Sequence, residues 1–370
     1  TDGSITLASA DGGFDLTLDP DTGGSVTVNG AIGGATPLTS FTVTSGVNVA
    51  LESVTTTGST PADTINIGSV AAISGTVSVG TNGASTWATD GAGANNNTGG
   101  IRINAATAID VQNSLVFDTN DGGTGTDGSI SLASSTTFAS NDDNDGLTFD
   151  LGTTALSAGT WTFTDLDFLR IASAGTVGLP AITTNDGNTN PANTGYGIDI
   201  NASGVVTLNG NLATAGLGVD ANAGGIRFAG TGSVLLPADR QLATGDGGTG
   251  TDGTVDLGLP ISATTIDTET LTIAAEAGDV NVTSVVGGTA LGGFTISSSA
   301  TSNLDASISA AGIAVTATTL IDVDSPDAGV TLDARDGDLI FSGRDIEIQT
   351  TNNDTVIQST GATAGSGERA

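Results

Sequence analysis

The sequence predicts an all-β protein that folds as a right-handed parallel β-helix, a β-solenoid built from stacked coils. Two patterns predict this fold: apolar–polar–apolar triplets recur along the chain, and longer stretches repeat at a fixed spacing. Composition agrees with them, because Gly supplies 56 of the 370 residues, whereas Lys and Met are absent. Thr, Val and Ile suit a pleated surface and strong helix formers are scarce, so almost no α-helix is expected.

The longest repeat in the chain has a period of 125 residues. The segment TDGSITL at 1–7 matches TDGSISL at 126–132 and TDGTVDL at 251–257. At the same spacing, GGIRI at 99–103 matches GGIRF at 224–228, and DGGTG at 121–125 recurs at 246–250. Because repeats at a fixed spacing are typical of solenoids, we expect three units, 1–125, 126–250 and 251–370, in one continuous stack.

A shorter rhythm of apolar–polar–apolar triplets runs inside these units. Each triplet is typical of a short strand that points two side chains inward and one outward. Triplets begin at Ile5, Val26, Val47, Val77, Ile101, Ile130, Ile198, Ile226 and Val255. Triplets near the N-terminus lie 21 residues apart and several later ones lie 28 or 29 apart, which predicts coils of roughly 21 to 29 residues.

Three tandem β-sandwich domains of about 125 residues are the alternative architecture. Sandwich domains usually carry buried aromatic anchors, and this chain has only two Trp and one Tyr. The solenoid is therefore the favoured interpretation.

The charge of the chain excludes several classes of partner. Forty acidic residues against seven Arg give a formal net charge of -33. Binding to nucleic acid or to an anionic membrane surface needs a basic stripe, which this sequence lacks. Nor does any apolar run approach the roughly 20 residues that a membrane-spanning helix requires.

Residue types also restrict the chemistry. Without His, Cys or Lys, the chain has no imidazole base, no thiol nucleophile and no Schiff-base lysine. A pair of carboxylates remains the one route to catalysis, as in glycosidases. Such a site also needs a groove with aromatic or cationic groups, and aromatic residues make up only 4% of the chain. No enzymatic activity is expected.

Calcium is the one ligand that the acidic segments suggest, and no other cofactor is expected. The hexad Gly-Gly-x-Gly-x-Asp occurs at 122–127 and at 247–252, and such hexads bind calcium in nonapeptide repeats. The segment 141–146 also has the oxygen-rich opening of an EF-hand-like loop. The candidate ligands are Asp118, Asp121, Asp127, Asn141, Asp143, Asp145, Asp150, Asp246 and Asp252. Gly-rich turns that bind no metal are the alternative.

Stacked coils also predict a column of charges. If coils of 28 and 29 residues stack in register, Asp199, Arg227 and Asp256 become neighbours on one face, with alternating sign. Opposite charges across neighbouring strands contribute about 0.2 to 1 kcal/mol. Arg102 has only Ser131 above it in the same scheme, so the first unit lacks this ladder.

One segment carries a resemblance to a known family. The stretch GGATPLTSFTV at 33–43, with the triplet at 47–49 after it, resembles the strand repeats of filamentous-haemagglutinin-like giant bacterial surface proteins. The resemblance implies a parallel β-helical shaft in a secreted, surface-associated protein. It covers only about residues 24–49.

Together these features predict a non-enzymatic, extracellular structural protein that forms a surface fibre, filament or sheath. We expect it to self-associate end to end or into filaments. An adhesin that binds glycans or calcium through Asp-rich corners is the alternative, with clustered aromatics near Trp161, Phe163, Phe168 and Tyr196 as its expected place. A polysaccharide-active enzyme is the third and least favoured reading.

Overall fold

A computed structural model describes most of the chain. It covers residues 2–57, 63–89, 98–105, 107–123, 125–133, 136–140, 145–157, 161–164, 166–184, 195–214, 223–245, 251–324, 329–348 and 355–360. No residue in these ranges is helical, and the parallel strands form a β-solenoid of about 11 turns of about 27 residues. The predicted all-β solenoid is confirmed.

The chain divides into two compact units, Thr1–Pro180 and Ala181–Ala370. The described strands of the first unit are β1 (Ile5–Leu7), β2 (Asp15–Leu18), β3 (Val26–Val28), β4 (Ser40–Val43), β5 (Val49–Leu51), β6 (Val54–Thr55), β7 (Asp63–Ile67), β8 (Thr76–Val79), β9 (Ser85–Ala88), β10 (Gly100–Ile103), β11 (Ala108–Val111), β12 (Leu115–Asp118), β13 (Ile130–Leu132), β14 (Thr137–Ser140), β15 (Gly146–Asp150), β16 (Leu156–Ser157), β17 (Thr162–Thr164), β18 (Phe168–Ser173) and β19 (Val177–Leu179).

The described strands of the second unit are β20 (Ile182–Thr184), β21 (Tyr196–Ala202), β22 (Val205–Leu208), β23 (Leu212–Thr214), β24 (Gly225–Gly230), β25 (Ser233–Leu236), β26 (Arg240–Ala243), β27 (Val255–Leu257), β28 (Ile261–Ala263), β29 (Thr270–Ala274), β30 (Val280–Val282), β31 (Val286–Leu291), β32 (Gly293–Ser298), β33 (Thr301–Leu304), β34 (Ile308–Ala310), β35 (Ile313–Val323), β36 (Thr331–Ala334), β37 (Leu339–Ile348) and β38 (Val356–Gln358).

Both units are three-sided. In the first, the strands cycle through the sheets β1-β3-β5-β8-β11-β14-β17, β2-β4-β7-β10-β13 and β6-β9-β12-β15-β18, while β16 and β19 pair with each other in a further sheet. In the second, the sides are β21-β24-β27-β30-β33, β22-β25-β28-β31-β34-β36-β38 and β20-β23-β26-β29-β32, and β35 and β37 each turn a corner between two sides. Because the strand pairs are parallel and join consecutive coils, the β-sandwich alternative is wrong.

Most of the predicted registers are confirmed. Ile5 pairs with Val26, Ile101 with Ile130, and Ile226 pairs both with Ile198 and with Val255. These partners are spaced by one coil, as the triplets predict.

The triplet at 47–49 is the exception, because the strand begins two residues later. Val26 pairs with Val49, 23 residues further on, rather than with Val47. Instead, the N–H of Val47 donates to the carbonyl of Gly24 at 2.7 Å, and Asn48 is exposed. These two residues therefore belong to the corner that precedes β5.

Coil length varies more than predicted. Phe294 pairs with Ile313, only 19 residues further on, whereas Ile65 pairs with Ile101, 36 residues further on. The longest coil includes 90–97, which lie outside the described residues. Coil length varies because the parallel strands fix only the three sides, so that connections of different length fit between them.

The repeat boundaries at 125/126 and 250/251 fall inside coils. Strand β10 pairs with β13 across the first boundary, and β24 pairs with β27 across the second. At both places the strand pairing continues across the boundary between sequence repeats.

Several aromatic side chains of the first unit lie inside the stack, although Phe14 is exposed. Trp87, Phe117 and Phe149 are register partners on β9, β12 and β15, with ring centroids 5.8 and 5.4 Å apart. Trp161 stacks on Phe149 at 5.4 Å and is 5% exposed. Phe168 is also 5% exposed. The adhesin alternative stays a prediction, but Trp161 and Phe168 cannot offer it a surface because both side chains are buried, whereas Phe163 and Tyr196 are half-buried.

Candidate functional site

The first Asp-Gly corner brings together four of the residues predicted to bind calcium. Asp118 and Asp150 are register partners on β12 and β15. Asn120 bridges them, because its backbone N–H donates to Asp118 Oδ1 (3.1 Å) and its side-chain amide donates to Asp150 Oδ1 (2.9 Å). The third residue, Asp121, accepts the N–H of Gly123 at 2.9 Å. These carboxylates are hydrogen-bonded to the chain itself.

Asp127, the fourth member, is 8% exposed and ties two coils together. Its Oδ1 accepts the N–H of Asp121 at 3.0 Å, and its Oδ2 accepts both the N–H and the hydroxyl of Thr153, each at 2.7 Å. Burial by itself raises the pKa of Asp127, but the hydrogen bonds from Asp121 and Thr153 outweigh it and hold the pKa below its ordinary value. The ionised carboxylate is thus a structural acceptor for the next coil.

The 125-residue repeat is visible as a repeated corner geometry. The hydroxyl of Thr119 donates to the carbonyl of Gly128 (2.8 Å), and that of Thr244 donates to the carbonyl of Gly253 (2.5 Å). The two glycine N–H groups donate back to the threonine carbonyls at 3.0 and 3.1 Å. A Cβ at Gly128 would lie 1.9 Å from the carbonyl oxygen of Gly99, so only glycine fits this close approach.

Of the remaining candidate ligands, the structure describes Asp145 and Asp252. Asp252 accepts the N–H of Ala277 in the next coil at 2.8 Å. Asp145 is 4% exposed and accepts the hydroxyl of Ser140 at 2.8 Å. The predicted ligands Asn141, Asp143 and Asp246 lie outside the described residues.

Metal binding stays a prediction. In the part of the chain that the structure describes, no three acidic side chains are grouped so that they could hold a metal ion. In the described corners, the carboxylate oxygens instead accept hydrogen bonds from N–H and hydroxyl groups of the chain.

The predicted charge ladder is present on the second unit. Asp199 pairs with Arg227, and Arg227 pairs with Asp256, on the consecutive strands β21, β24 and β27. The guanidinium of Arg227 makes two hydrogen bonds to Asp199, Nε to Oδ1 at 2.8 Å and Nη2 to Oδ2 at 2.7 Å. This bidentate geometry fixes the relative position of neighbouring coils.

Tyr196 completes the ladder, and the triplet pattern did not reveal it as part of this column. Its hydroxyl donates to Asp256 Oδ2, and the guanidinium carbon of Arg227 lies 4.7 Å from its ring centroid. Burial, followed by the hydrogen bond to Asp256, raises the pKa of Tyr196 to about 12. Tyr196 therefore stays protonated and acts as a donor at neutral pH.

The column continues beyond the predicted three residues. Asn281 donates to Asp256 Oδ1 (2.6 Å), and Asn303 donates to Asn281 Oδ1 (2.7 Å). Asp322 then pairs with Asn303, and Glu347 pairs with Asp322. The signal was in the sequence, because each of these four residues is the middle of an apolar–polar–apolar triplet or of its close variant Ser-Asn-Leu.

Acidic groups accumulate at the far end of this column. Burial, followed by the charges of Asp324 and Glu347, raises the pKa of Asp322. Burial and the charges of Asp324 and Asp322 likewise raise the pKa of Asp305. Like charges directly opposite one another on neighbouring strands are destabilising.

Arg102 in the first unit has no such ladder, as predicted. Its register partners are Asn66 and Ser131. Burial raises the pKa of nearby Asp63, and the charge of Arg102 offsets part of that effect.

Grooves on the described surface differ in size and lining. One of about 140 Å³ lies beside Arg102, and one of about 260 Å³ lies beside Arg240. A groove of about 400 Å³ lies on the second unit, beside the charge ladder. Its lining residues are Gly195, Tyr196, Ala223, Thr251, Asp252, Gly253, Thr254, Asp256 and Asn281.

The fold itself defines the class of protein, a parallel β-solenoid repeat protein. No family model, no curated protein and no solved structure matches the chain. Among the described residues, no helix is long and apolar enough to cross a membrane.

Proposed function

We propose that this chain is an extracellular structural protein whose solenoid serves as the shaft of a surface fibre, filament or sheath. The observation that carries the proposal is the column from Asp199 to Asn303, in which side chains of successive coils are in register and joined by hydrogen bonds. A stack in which each coil is tied to the next is suited to bearing load and spacing other parts.

The corners support the same role. Asp127 and Asp252 use their carboxylates to hold the backbone of the following coil. The Thr119 and Thr244 corners are likewise bonded internally. Polar groups used in this way stabilise the stack.

Self-association is part of the proposal. Large apolar side chains on β37 and β38 are exposed, including Ile346 at 48% and Ile357 at 44%. Their register partners one coil earlier, Ile321 and Leu332, are both 0% exposed. Another coil, supplied by further repeats or by a second copy, would bury these side chains and extend the stack.

Electron microscopy of the purified chain, with and without a chelator, tests this proposal. We expect fibres of uniform width and a β-rich circular dichroism spectrum. Ile346→Glu should abolish or shorten the fibres, because it places a charge on the open end of the stack. Val70→Glu is the matched control, since Val70 is 82% exposed and lies far from that end in the chain.

Two results separate the alternatives. Fibres that melt at a higher temperature with calcium would make the Asp-Gly corners metal sites that promote assembly. If the original chain and both variants stay monomeric under every condition, the fibre role is contradicted.

A further inference from the structure

The groove beside the charge ladder differs from the two smaller grooves in having an aromatic wall. Tyr196 lines it, whereas the grooves beside Arg102 and Arg240 have no aromatic lining residue. Its volume, about 400 Å³, falls within the range of small-ligand sites. These properties make it the strongest candidate for ligand binding among the three grooves.

The ring of Tyr196 is held in place by the coil that follows it. A Cβ at Gly225 would lie 2.7 Å from Tyr196 Cδ1, so the absence of a side chain there lets the ring approach β24 closely. Arg227 packs against the same ring, and Asp256 fixes its hydroxyl. The aromatic wall is therefore positioned before any ligand arrives, which lowers the entropic cost of binding.

The polar lining of the groove is rich in hydrogen-bond acceptors. An ionised carboxylate offers about four acceptor positions, and Asp256 receives two donors from Tyr196 and Asn281. Asp252 adds a second carboxylate, and Thr251 and Thr254 also line the groove. A fitting ligand must therefore present several donors close together.

We propose that this groove binds a neutral saccharide, with vicinal hydroxyl groups donating to Asp252 and Asp256 and an apolar C–H face against the Tyr196 ring. Sugars combine these two surfaces, and an aromatic side chain with acceptors beside it complements both. Anionic sugars are disfavoured, because two carboxylates line the groove and the chain has a net charge of -33. The proposal is independent of the fibre role.

A basic ligand is the competing chemistry, but the guanidinium carbon of Arg227 already lies 4.7 Å from the centroid of the Tyr196 ring, and this cation disfavours a second one there. A chain this acidic attracts cations over its whole surface, so cation binding needs no groove. An aromatic wall with carboxylate acceptors beside it distinguishes this groove from the other two.

Binding to an array of neutral hexose and N-acetylhexosamine oligosaccharides, followed by calorimetric titration of those that bind, tests the proposal. Tyr196→Ala should weaken binding at least tenfold, because it removes the aromatic wall. Asp252→Asn should weaken binding less. Its amide oxygen can still accept the N–H of Ala277, so this variant keeps the test valid if Tyr196→Ala fails to fold. Asp338→Asn is the control, since it removes the same charge at an exposed position on another coil.

Any of three results would overturn the inference. The first is no binding of a neutral saccharide at millimolar concentration. In the second, binding is unchanged in Asp252→Asn and in a folded Tyr196→Ala. The third is tighter binding of polylysine or of anionic oligosaccharides than of neutral saccharides, with Asp252→Asn and Asp338→Asn changing that binding by the same amount.

Discussion

Asp127 and Thr153 lie 26 residues apart in the chain and one coil apart in the solenoid, where one carboxylate oxygen accepts both the N–H and the hydroxyl of the threonine at 2.7 Å. Removing this carboxylate leaves the buried N–H of Asp121 without an acceptor, which costs about 1 to 3 kcal/mol, whereas the exposed Thr153 can bond to water instead. Asp127→Ala should therefore lower the midpoint of chemical unfolding. Asp338→Ala, at an exposed position, should leave the midpoint within experimental error.

Asp127 also predicts a loss of stability in acid. Because its pKa is below the ordinary value in the folded state, the folded chain binds fewer protons than the unfolded chain in that range. Its contribution is complete above the unfolded pKa and disappears as the pH falls through the folded pKa. Unfolding curves of the original chain and Asp127→Asn should converge on acidification; curves that stay parallel down to the folded pKa would contradict this.

Asp322 predicts the opposite slope at the far end of the ladder. Its pKa is raised by burial and by Asp324 and Glu347, so stability is lost as the pH rises from the unfolded pKa through the folded pKa. Asp322→Asn should stabilise the chain at neutral pH, and this gain should vanish in acid. Thermal melts at several pH values measure it, with Asp338→Asn as the charge-matched control.

The Arg227–Asp199 pair should contribute measurably to stability. Asp199 is 3% exposed, whereas the Arg227 side chain is 34% exposed, so solvent screens part of the interaction. Arg227→Gln is expected to cost about 1 to 2 kcal/mol, between the values for exposed and buried pairs. A double-mutant cycle with Asp199→Asn gives the coupling, and Arg344→Gln, whose side chain is 79% exposed, should cost nothing measurable.

The corner glycines Gly128 and Gly253 should tolerate no side chain. A Cβ at Gly253 would lie 2.1 Å from the carbonyl oxygen of Gly224, as at the equivalent corner 125 residues earlier. Gly253→Ala forces the backbone to shift and should destabilise the chain by about 1 to 3 kcal/mol. Gly3→Ala, where nothing lies within 4 Å of the new Cβ, is the control. Equal unfolding midpoints for the two variants would disprove the close approach.

The positions of the strands could be predicted well from the sequence, because apolar and polar residues alternate along them. The Ile226 triplet has two buried residues with a half-buried one between them, and its partners on either side follow from coil spacing alone. The triplet at 47–49 has the same apolar–polar–apolar pattern, yet a corner hydrogen bond from Val47 to Gly24 decides where the strand starts. Local pattern predicts the strand, and long-range backbone bonding sets its first residue.

The candidate site was harder to predict for a similar reason. Tyr196 reaches Asp256 across two coils, 60 residues away in the chain, and no local signal marks that contact. In the opposite case, Trp161 was expected near a ligand surface but is buried. It stacks on Phe149, and that stacking depends on how the two coils lie together. Whether an aromatic side chain lines a groove or fills the core is decided by packing that a single sequence does not display.

The matching corners at Thr119–Gly128 and Thr244–Gly253 have a consequence for how such a gene lengthens. Each corner is bonded within itself and approaches the preceding coil, so a copied block of 125 codons finds at its seam the same type of neighbour that it left. Duplication adds coils without requiring a new interface to evolve, and the side chains between the corners are then free to diverge. A protein built this way can change its length in a single recombination event. It can also acquire a surface feature, such as the Tyr196 groove, in one copy at a time.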